Sequence, residues 1–186
     1  MVDACALGAG EESLASVATA VRAGLWLHGS AGLVVRGEEP GGPTGPPTTL
    51  WPRADYSLLD LERHFEARGG RRLDYCSSRG SRDGPAWMGI RAERVVAEAR
   101  ELSERYRLSE VLFQDEDFFA DPARDDASAA GLLEGGPLHW QGGARPEDVA
   151  AAGPERLHLV AESGCRKLRL GVRPGAASRE LLLEAG

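Results

Sequence analysis

The chain of 186 residues contains few cysteines, no long apolar run and no start typical of an exported protein. Its three cysteines, Cys5, Cys76 and Cys165, are odd in number and widely spaced, which argues against a disulfide framework and against a zinc ribbon. No window approaches the roughly 20 apolar residues that a membrane-spanning helix needs. The start also lacks the basic and apolar regions of a signal peptide. We therefore expect a cytoplasmic protein with reduced thiols and no membrane contact.

Positive charge is scarce as well, because 29 acidic residues outnumber 22 lysines and arginines and give a net charge of -7. Nucleic-acid binding depends on clustered positive charge that releases counterions from phosphate, so we expect no nucleic-acid partner. One local exception is an arginine-rich interval between positions 63 and 82. It is either a basic patch or, as is usual for charged faces, a solvated surface offset by nearby acids.

From position 72 onward a unit of about thirty residues recurs. Each unit has a short apolar run, a loop and a helical pattern, which is typical of parallel strands joined by crossover helices. The predicted strands are residues 73–77, 110–114, 138–141 and 167–172. The predicted helices are residues 92–106, 122–134, 154–163 and 177–184. The fold class indicated is therefore α/β.

Two regions precede these units. Residues 37–47 (GEEPGGPTGPP) are too rich in glycine and proline for regular structure, so a linker is predicted at 37–53. Before it, residues 1–36 have the pattern of a strand (4–7), a helix (11–23) and a strand (33–36), which is too small for a stable core of its own. After it, a second domain is predicted at 54–186, beginning with a helix at 57–67.

Six segments of this second part follow one another in the order found in one enzyme family. They are DYSLLDLERHF (55–65), LDYCSSRG (73–80), AERVVAE (92–98), VLFQDEDFFAD (111–121), WQGGAR (140–145) and LVAESGCRKLRLGV (159–172). Together they resemble the cobalamin-dependent class of radical S-adenosylmethionine enzymes. The resemblance implies an incomplete parallel (β/α) barrel of about four units at 54–186. Residues 2–24 resemble the end of that class's cobalamin-binding domain, so 1–36 would be a small Rossmann-like remnant of it.

The resemblance implies three family cofactors, namely a 4Fe–4S cluster, S-adenosylmethionine and cobalamin. Such enzymes hold the cluster with three thiolates of a CxxxCxxC loop after the first barrel strand, because soft anionic sulfur suits iron. The matching positions here are Ser81, Pro85 and Met88, and none of them offers a thiolate. A second alignment places Trp87-Met88-Gly89 on a later motif and shortens the loop, with the same result. We therefore expect no bound cofactor and no reductive cleavage of S-adenosylmethionine.

A run of acids follows the second predicted strand, at the sheet edge where parallel folds place their sites. The resemblance implies that this edge approaches the amino group of S-adenosylmethionine, so Asp115 and Glu116 are the candidate ligand residues. A second interpretation is a hard cation such as Mg²⁺, held by these acids and Asp117, with His139 or Gln141 from the next strand nearby. A third is structural, with alternate acids on opposite faces that cap the next helix.

Four strand and helix units form only part of a barrel, so the strand predicted at 167–172 would present unpaired backbone groups. We expect a second copy or a paralogue to cover that edge. The favoured function is that of a truncated, degenerate homologue that binds a partner without cluster catalysis, or of a gene remnant. One alternative is a piece of a split radical enzyme whose partner supplies the cluster. Another is a metal-assisted hydrolase that uses Asp115, Asp117 and His139.

Overall fold

The computed structural model describes residues 4–6, 10–25, 32–37, 51–80 and 87–171. The chain divides into two compact units, residues 1–52 and residues 53–186. Within the described ranges, every helix is too short or too polar to cross a membrane. The predicted helix at 177–184, the end of the strand predicted at 167–172 and most of the linker predicted at 37–53 lie outside the described residues.

The first unit contains two short strands and one helix. Strand β1 (Ala4–Ala6) pairs antiparallel with β2 (Leu33–Val35), and helix α1 (Gly10–Ala23) lies between them in sequence. The buried Ser13 hydroxyl of α1 donates to the carbonyl of Gly32 at 3.2 Å, which ties the helix to the turn before β2. The predicted strand, helix and strand are confirmed near their predicted bounds. Their origin as a cobalamin-domain remnant stays a prediction.

The second unit alternates strands and helices, as the recurring units predict. Its elements in chain order are a 3-10 turn (Tyr56–Leu58), α2 (Leu61–Arg68), β3 (Arg72–Tyr75), β4 (Ser78–Arg79), β5 (Met88–Gly89), α3 (Ala92–Tyr106), β6 (Glu110–Phe113), a 3-10 turn (Phe118–Ala120), α4 (Pro122–Glu134), β7 (Trp140–Ala144), α5 (Pro146–Glu162) and β8 (Cys165–Leu170). Among the described residues, β3, β6, β7 and β8 form a parallel sheet in that order. The α/β class with parallel strands is confirmed, whereas closure toward a barrel stays a prediction.

Aromatic rings fill the space between the sheet and its helices. The ring of Phe113 lies 5.6 Å from Tyr75, 4.9 Å from Phe118 and 5.6 Å from Trp140, measured between centroids. Burying a side chain such as Phe contributes about 1.5 to 3 kcal/mol, and tilted ring pairs add to this. The indole N–H of Trp140 donates to the Ser163 carbonyl at 3.2 Å, so the tryptophan also anchors the end of α5. This face of the sheet is therefore the core of the unit.

Helices α3 and α4 have the bounds that the sequence predicts. On α3, Val95 and Ala99 are fully buried while Glu93 is exposed, as the amphipathic pattern requires. Helix α4 begins where the Asp121 carboxylate accepts a hydrogen bond from the Arg124 backbone N–H at 3.2 Å. Pro122, which directly follows Asp121, lies in the first turn of α4, where its missing N–H leaves no helical hydrogen bond unmade. The cap predicted at Asp121 is confirmed.

Several predicted bounds are wrong. The helix predicted at 57–67 is divided, because the Asp60 carboxylate accepts from the Arg63 backbone N–H at 3.2 Å and starts α2 there. The strand predicted at 138–141 runs instead from Trp140 to Ala144, since Gly142 and Gly143 pair with β8. Glycines are depleted in strands, so the local sequence pattern did not predict that Gly142 and Gly143 belong to one. Their pairing with β8 places them in β7.

Two further differences concern α5 and the loop after β3. The helix predicted at 154–163 already begins at Pro146 and is interrupted at Gly153, whose φ is 72°. That left-handed conformation suits glycine, and Pro154 then starts a second helical segment. After β3, strands β4 and β5 form an antiparallel pair in which Ser78 lies opposite Gly89. This pair was not predicted, because each of its strands has two residues and no apolar pattern.

Candidate functional site

The candidate site lies at the carboxyl ends of β3 and β6, where the chain leaves the sheet. Parallel strands end at the same edge, so residues that follow them are brought together. Here Ser77 follows β3, and Asp115 follows β6. The β4–β5 pair, which contains Ser78, covers the same edge. A small polar cluster results.

Asp115 is the centre of this cluster. Its Oδ1 accepts hydrogen bonds from the Ser77 backbone N–H at 3.0 Å, the Ser77 hydroxyl at 3.0 Å and the Ser78 hydroxyl at 2.5 Å. The residue is 6% exposed, and within the described residues its Oδ2 has no hydrogen-bond partner. Burial raises the pKa of Asp115, opposed by the hydrogen bonds from Ser78 and Ser77 and by the charge of Arg124. The carboxyl group therefore holds the ends of two strands together.

Arg124 from α4 closes the cluster from the helix side. Its Nε donates to the Ile90 carbonyl at 2.8 Å, and its Nη2 donates to the Ser77 carbonyl at 3.0 Å. Its Nη1 donates to Asp125 at 3.0 Å. The guanidinium also lies 5.5 Å from the centroid of the Trp87 ring, within the range of a cation–π contact. One arginine thus joins α4 to the ends of β3 and β5.

Asp117, also at this edge, is completely buried. Its carboxylate lies 3.2 Å from Nε of Arg145, which follows β7. Its backbone carbonyl accepts from the Trp87 indole N–H at 3.0 Å. An ion pair removed from water is held in place by the large cost of leaving either charge alone. Asp117 therefore fixes the loop after β6 to the end of β7.

The other predicted site residue, Glu116, is separated from Asp115. Glu116 is exposed while Asp115 is buried, as expected where alternate side chains point to opposite sides. The structure therefore does not bring the two predicted ligand residues together. Their role at a relic S-adenosylmethionine edge stays a prediction.

The predicted position of His139 is wrong. His139 precedes β7, and its carbonyl accepts from the backbone N–H of Val111 at 2.9 Å, at the amino end of β6. Asp115 follows the carboxyl end of the same strand, so the two residues lie at opposite edges of the sheet. Among the described residues no group of three or more His, Cys, Asp or Glu side chains is placed to hold a metal ion. The metal-assisted hydrolase that uses Asp115, Asp117 and His139 is not supported by this geometry.

Of the three positions that the sequence resemblance sets against cluster ligands, one lies among the described residues. Ser81 and Pro85 lie outside the described residues, whereas Met88 lies in β5 opposite Arg79. Next to Met88, Gly89 packs so closely that an added Cβ would lie 2.4 Å from the Trp87 ring and 2.8 Å from Nε of Arg124. A larger residue at position 89 would therefore force the Trp87 ring or the Arg124 side chain to move.

Beside the cluster, the sheet face opposite the aromatic core carries a hydrogen-bonded row. Arg68 donates twice to Asp74, at 3.2 and 2.6 Å, and the Gln114 amide donates to the same carboxylate at 2.6 Å. Arg169 of β8 donates to the Gln114 side-chain oxygen at 3.3 Å. It crosses β7 at Gly143, its partner in the pairing, where no side chain blocks the way. The row connects β3, β6 and β8 through side chains.

Sequence reasoning missed most members of the cluster. Arg124 lies in the first turn of an amphipathic helix, a position where an arginine is ordinarily solvated, and nothing local indicates that it is buried. Ser77 and Ser78 carry a weak signal, since small polar residues after a strand often bind backbone or side-chain groups at the sheet edge. Arg145 carries none, because the strand before it was predicted to end at position 141, whereas β7 continues to Ala144. Only the packing of α4 against the edge reveals the set.

Solved structures similar to this chain include two of the radical S-adenosylmethionine methyltransferase TsrM from Kitasatospora setae. One, with a tryptophan substrate and the S-adenosylmethionine analog aza-SAM bound, has a TM-score of 0.66 and 20% identity over 92% of this chain. The other, with cobalamin and a 4Fe–4S cluster bound, has a TM-score of 0.67 and 20% identity over 92% of this chain. This chain spans 38% and 39% of those chains. No family model and no curated protein matches it. At this identity the likeness concerns the fold.

Proposed function

We propose that this protein is a radical S-adenosylmethionine-like protein that acts by binding a partner and does not perform cluster-based catalysis. The chemistry of the loop after β3 carries the proposal. The resemblance sets Ser81, Pro85 and Met88 at the spacing of the three cluster cysteines, and an alcohol, a ring without a donor atom and a neutral thioether do not replace thiolates on iron. The fold similarity supports descent from such enzymes. It does not supply their cofactor ligands.

The positions of the existing cysteines support the same conclusion. Cys76 follows the carboxyl end of β3, whereas Cys165 begins β8 at the amino end of the same parallel sheet. Three thiolates on one cluster must lie within a few ångströms of one another, and residues at opposite edges of a sheet do not meet. Cys5 belongs to the first unit. The chain's own thiols are therefore not arranged as a cluster site within the second unit.

Anaerobic reconstitution with iron and sulfide tests this proposal. We expect the protein to stay colourless and to retain no stoichiometric iron after desalting. The matched control is the triple variant Ser81→Cys, Pro85→Cys and Met88→Cys, which introduces the CxxxCxxC spacing. If the loop has room for a cluster, this variant should retain iron and absorb visible light. A 4Fe–4S cluster on the unmodified protein would refute the proposal.

The partner in this proposal covers the outer edge of β8. Within the described residues, β8 pairs on one side, with β7. The Gly171 backbone N–H donates to the Ala144 carbonyl at 3.0 Å, so by alternation the N–H groups of Leu168 and Leu170 point away from β7. Leu170 is also 39% exposed. Outward N–H groups beside an exposed leucine form a strand edge that a second copy or a paralogue extends.

Sedimentation of paired variants tests the edge. We expect a self-associating or partner-bound species for the unmodified chain, its loss for Leu170→Pro and its retention for Leu170→Ala. Proline removes one outward N–H and leaves the β7 side intact, whereas alanine keeps the N–H. A strictly monomeric protein that also captures no paralogue, or equal behaviour of the two variants, would contradict the edge. A partner that carries a cluster and cleaves S-adenosylmethionine in the complex would assign this chain to a split radical enzyme.

A further inference from the structure

A cavity of about 220 Å³ lies on the helix side of the second unit, between the segment of residues 53–56 and helix α3. Its floor and walls come from three elements: this segment, the end of β3 and one face of α3. Its lining includes Arg53, Asp55, Tyr56, Glu98, Glu101 and Tyr106. Neither the edge cluster around Asp115 nor the strand edge of β8 contributes to it. The cavity is therefore separate from both of these features.

The floor of the cavity is a buried carboxylate. Glu98 of α3 has a side chain that is 7% exposed. Its Oε2 accepts from the Tyr75 hydroxyl at 2.7 Å, and its Oε1 accepts from Nε of Arg94 at 2.7 Å. A carboxylate at such depth is stable only while its charge is balanced. The floor thus offers a fixed negative charge to whatever occupies the cavity.

At present a side chain of the protein itself closes the mouth. Arg53 places its Nε 3.3 Å from Oε1 of Glu98 and its Nη1 2.5 Å from Oε2 of Glu101. One guanidinium thus bridges two carboxylates, which shows that a planar cation fits between them. The side chains of Arg53 and Glu101 are 60% and 51% exposed, and an ion pair between two exposed groups contributes little. Glu98 is buried, but it keeps Tyr75 and Arg94 as partners when Arg53 moves away. Arg53 can therefore leave the mouth at little cost.

Aromatic walls suit the same kind of occupant. The rings of Tyr56 and Tyr106 meet edge to face at a centroid distance of 6.3 Å. The guanidinium of Arg105 already lies 5.3 Å from the centroid of the Tyr106 ring, a distance at which a ring attracts a cation. Burial raises the pKa of Tyr56 to about 12, so its hydroxyl stays neutral and donates to the Asp74 carbonyl. The walls are thus apolar surfaces that accept positive charge.

The charges around the cavity fix the sign of the occupant. With Arg53 set aside, three carboxylates, those of Asp55, Glu98 and Glu101, face two arginines: Arg105, which lines the cavity, and Arg94, which binds Glu98. The site is then one positive charge short of neutrality. A ligand with a single positive charge restores the balance that Arg53 supplies now.

We propose that this cavity binds a small organic cation, with an amidinium or ammonium group placed between Glu98 and Glu101 and an apolar or aromatic body between the tyrosines. Arg53 competes with that ligand from within the chain. Because a ligand's apparent affinity falls with the fraction of sites already closed, removing the arginine strengthens binding. Replacing Arg53 should therefore improve the affinity for the cation, whereas replacing Glu98 or Glu101 should weaken it.

Titration with benzamidine, followed by calorimetry and by backbone amide NMR shifts of the full chain, tests this proposal. We expect binding to the unmodified protein and about 2- to 6-fold tighter binding to Arg53→Ala, because a weakly held competitor has been removed. Glu101→Gln should weaken binding by about 2- to 5-fold, the range of an exposed charge pair. The neutral isostere benzamide should bind at least about 10-fold more weakly, since it lacks the charge that the carboxylates attract.

The controls separate a ligand site from a general effect of charge or folding. Glu104→Gln removes an exposed acid from the same helix outside the cavity and should leave the affinity unchanged. Glu98→Gln should abolish binding; if that variant fails to fold, Glu101→Gln and Arg53→Ala still decide the matter. Absence of binding to the unmodified protein and to Arg53→Ala, equal affinity for benzamide, or equal effects of Glu104→Gln and Glu101→Gln would each overturn the proposal.

Discussion

Replacing Arg124 by methionine should destabilise the second unit more than any single surface change. Methionine keeps much of the unbranched stem but removes the charge and all donors. The Ile90 carbonyl, which accepts from Nε at 2.8 Å, would then lose that partner, at a cost of about 1 to 3 kcal/mol for a buried acceptor. Asp125 would lose its contact with Nη1 at 3.0 Å, and because its side chain is only 1% exposed, water would not replace that contact.

The total expected loss is about 3 to 5 kcal/mol, the range for breaking a buried charge pair from one side. Arg156 limits the damage, because its Nη2 still lies 3.3 Å from the other oxygen of Asp125. Lysine at position 124 should cost less than methionine, since it keeps the charge but reaches fewer of the acceptors. Urea unfolding monitored by circular dichroism gives each free energy, provided that the slopes stay equal.

A second substitution isolates the cause. If the unpaired carboxylate is responsible, Asp125→Asn in the Arg124→Met background should recover about 1 kcal/mol or more, because the amide carries no charge to bury. A loss below about 1 kcal/mol for Arg124→Met, or no recovery in the double variant, would refute the role of Arg124 as the joint between α4 and the sheet edge.

Two more predictions follow. Burial raises the pKa of Asp125 to about 7, against the opposing charges of Arg124 and Arg156. The unfolded chain therefore loses this proton at lower pH than the folded protein, and the free energy of unfolding should fall as pH rises from about 4 to 7. Urea unfolding at each pH should show a smaller fall for Asp125→Asn than for the unmodified protein. Gly164→Ala should be clearly less stable than Gly136→Ala: both glycines have positive φ, but an added Cβ lies 2.1 Å from the Leu138 carbonyl at the first and meets nothing within 4 Å at the second, so equal losses in thermal unfolding would show that the clash is relieved.

The resemblance found in the sequence agrees with the fold of the solved structures at the level of a parallel α/β sheet. Several local elements were also predictable. The spacing of Val95 and Ala99 predicts the buried face of α3, and Asp121 followed by Pro122 predicts the start of α4, because helix periodicity and capping depend on neighbours within one or two turns. Such signals survive without knowledge of the rest of the chain.

Other features had no local signal. Gly142 and Gly143 lie in a strand because β8 pairs with them, and the pairing of β4 with β5 depends on two residues from each side of a loop. His139 was expected near the acids, but a shift of two residues in the start of β7 moves it to the opposite edge of the sheet. Register is decided between strands, and one strand read by itself does not contain it.

The sequence by itself determined that Ser81, Pro85 and Met88 offer no thiolate, and through periodicity and caps it determined much of the order of strands and helices. The tertiary structure alone decided which charges are buried together. Asp115 and Arg124 meet Ser77 because α4 packs over the ends of two strands, and Glu98 meets Arg53 because the entering segment crosses α3. Side-chain identity is a property of each position, whereas burial and pairing arise from contacts between residues that are far apart in the chain.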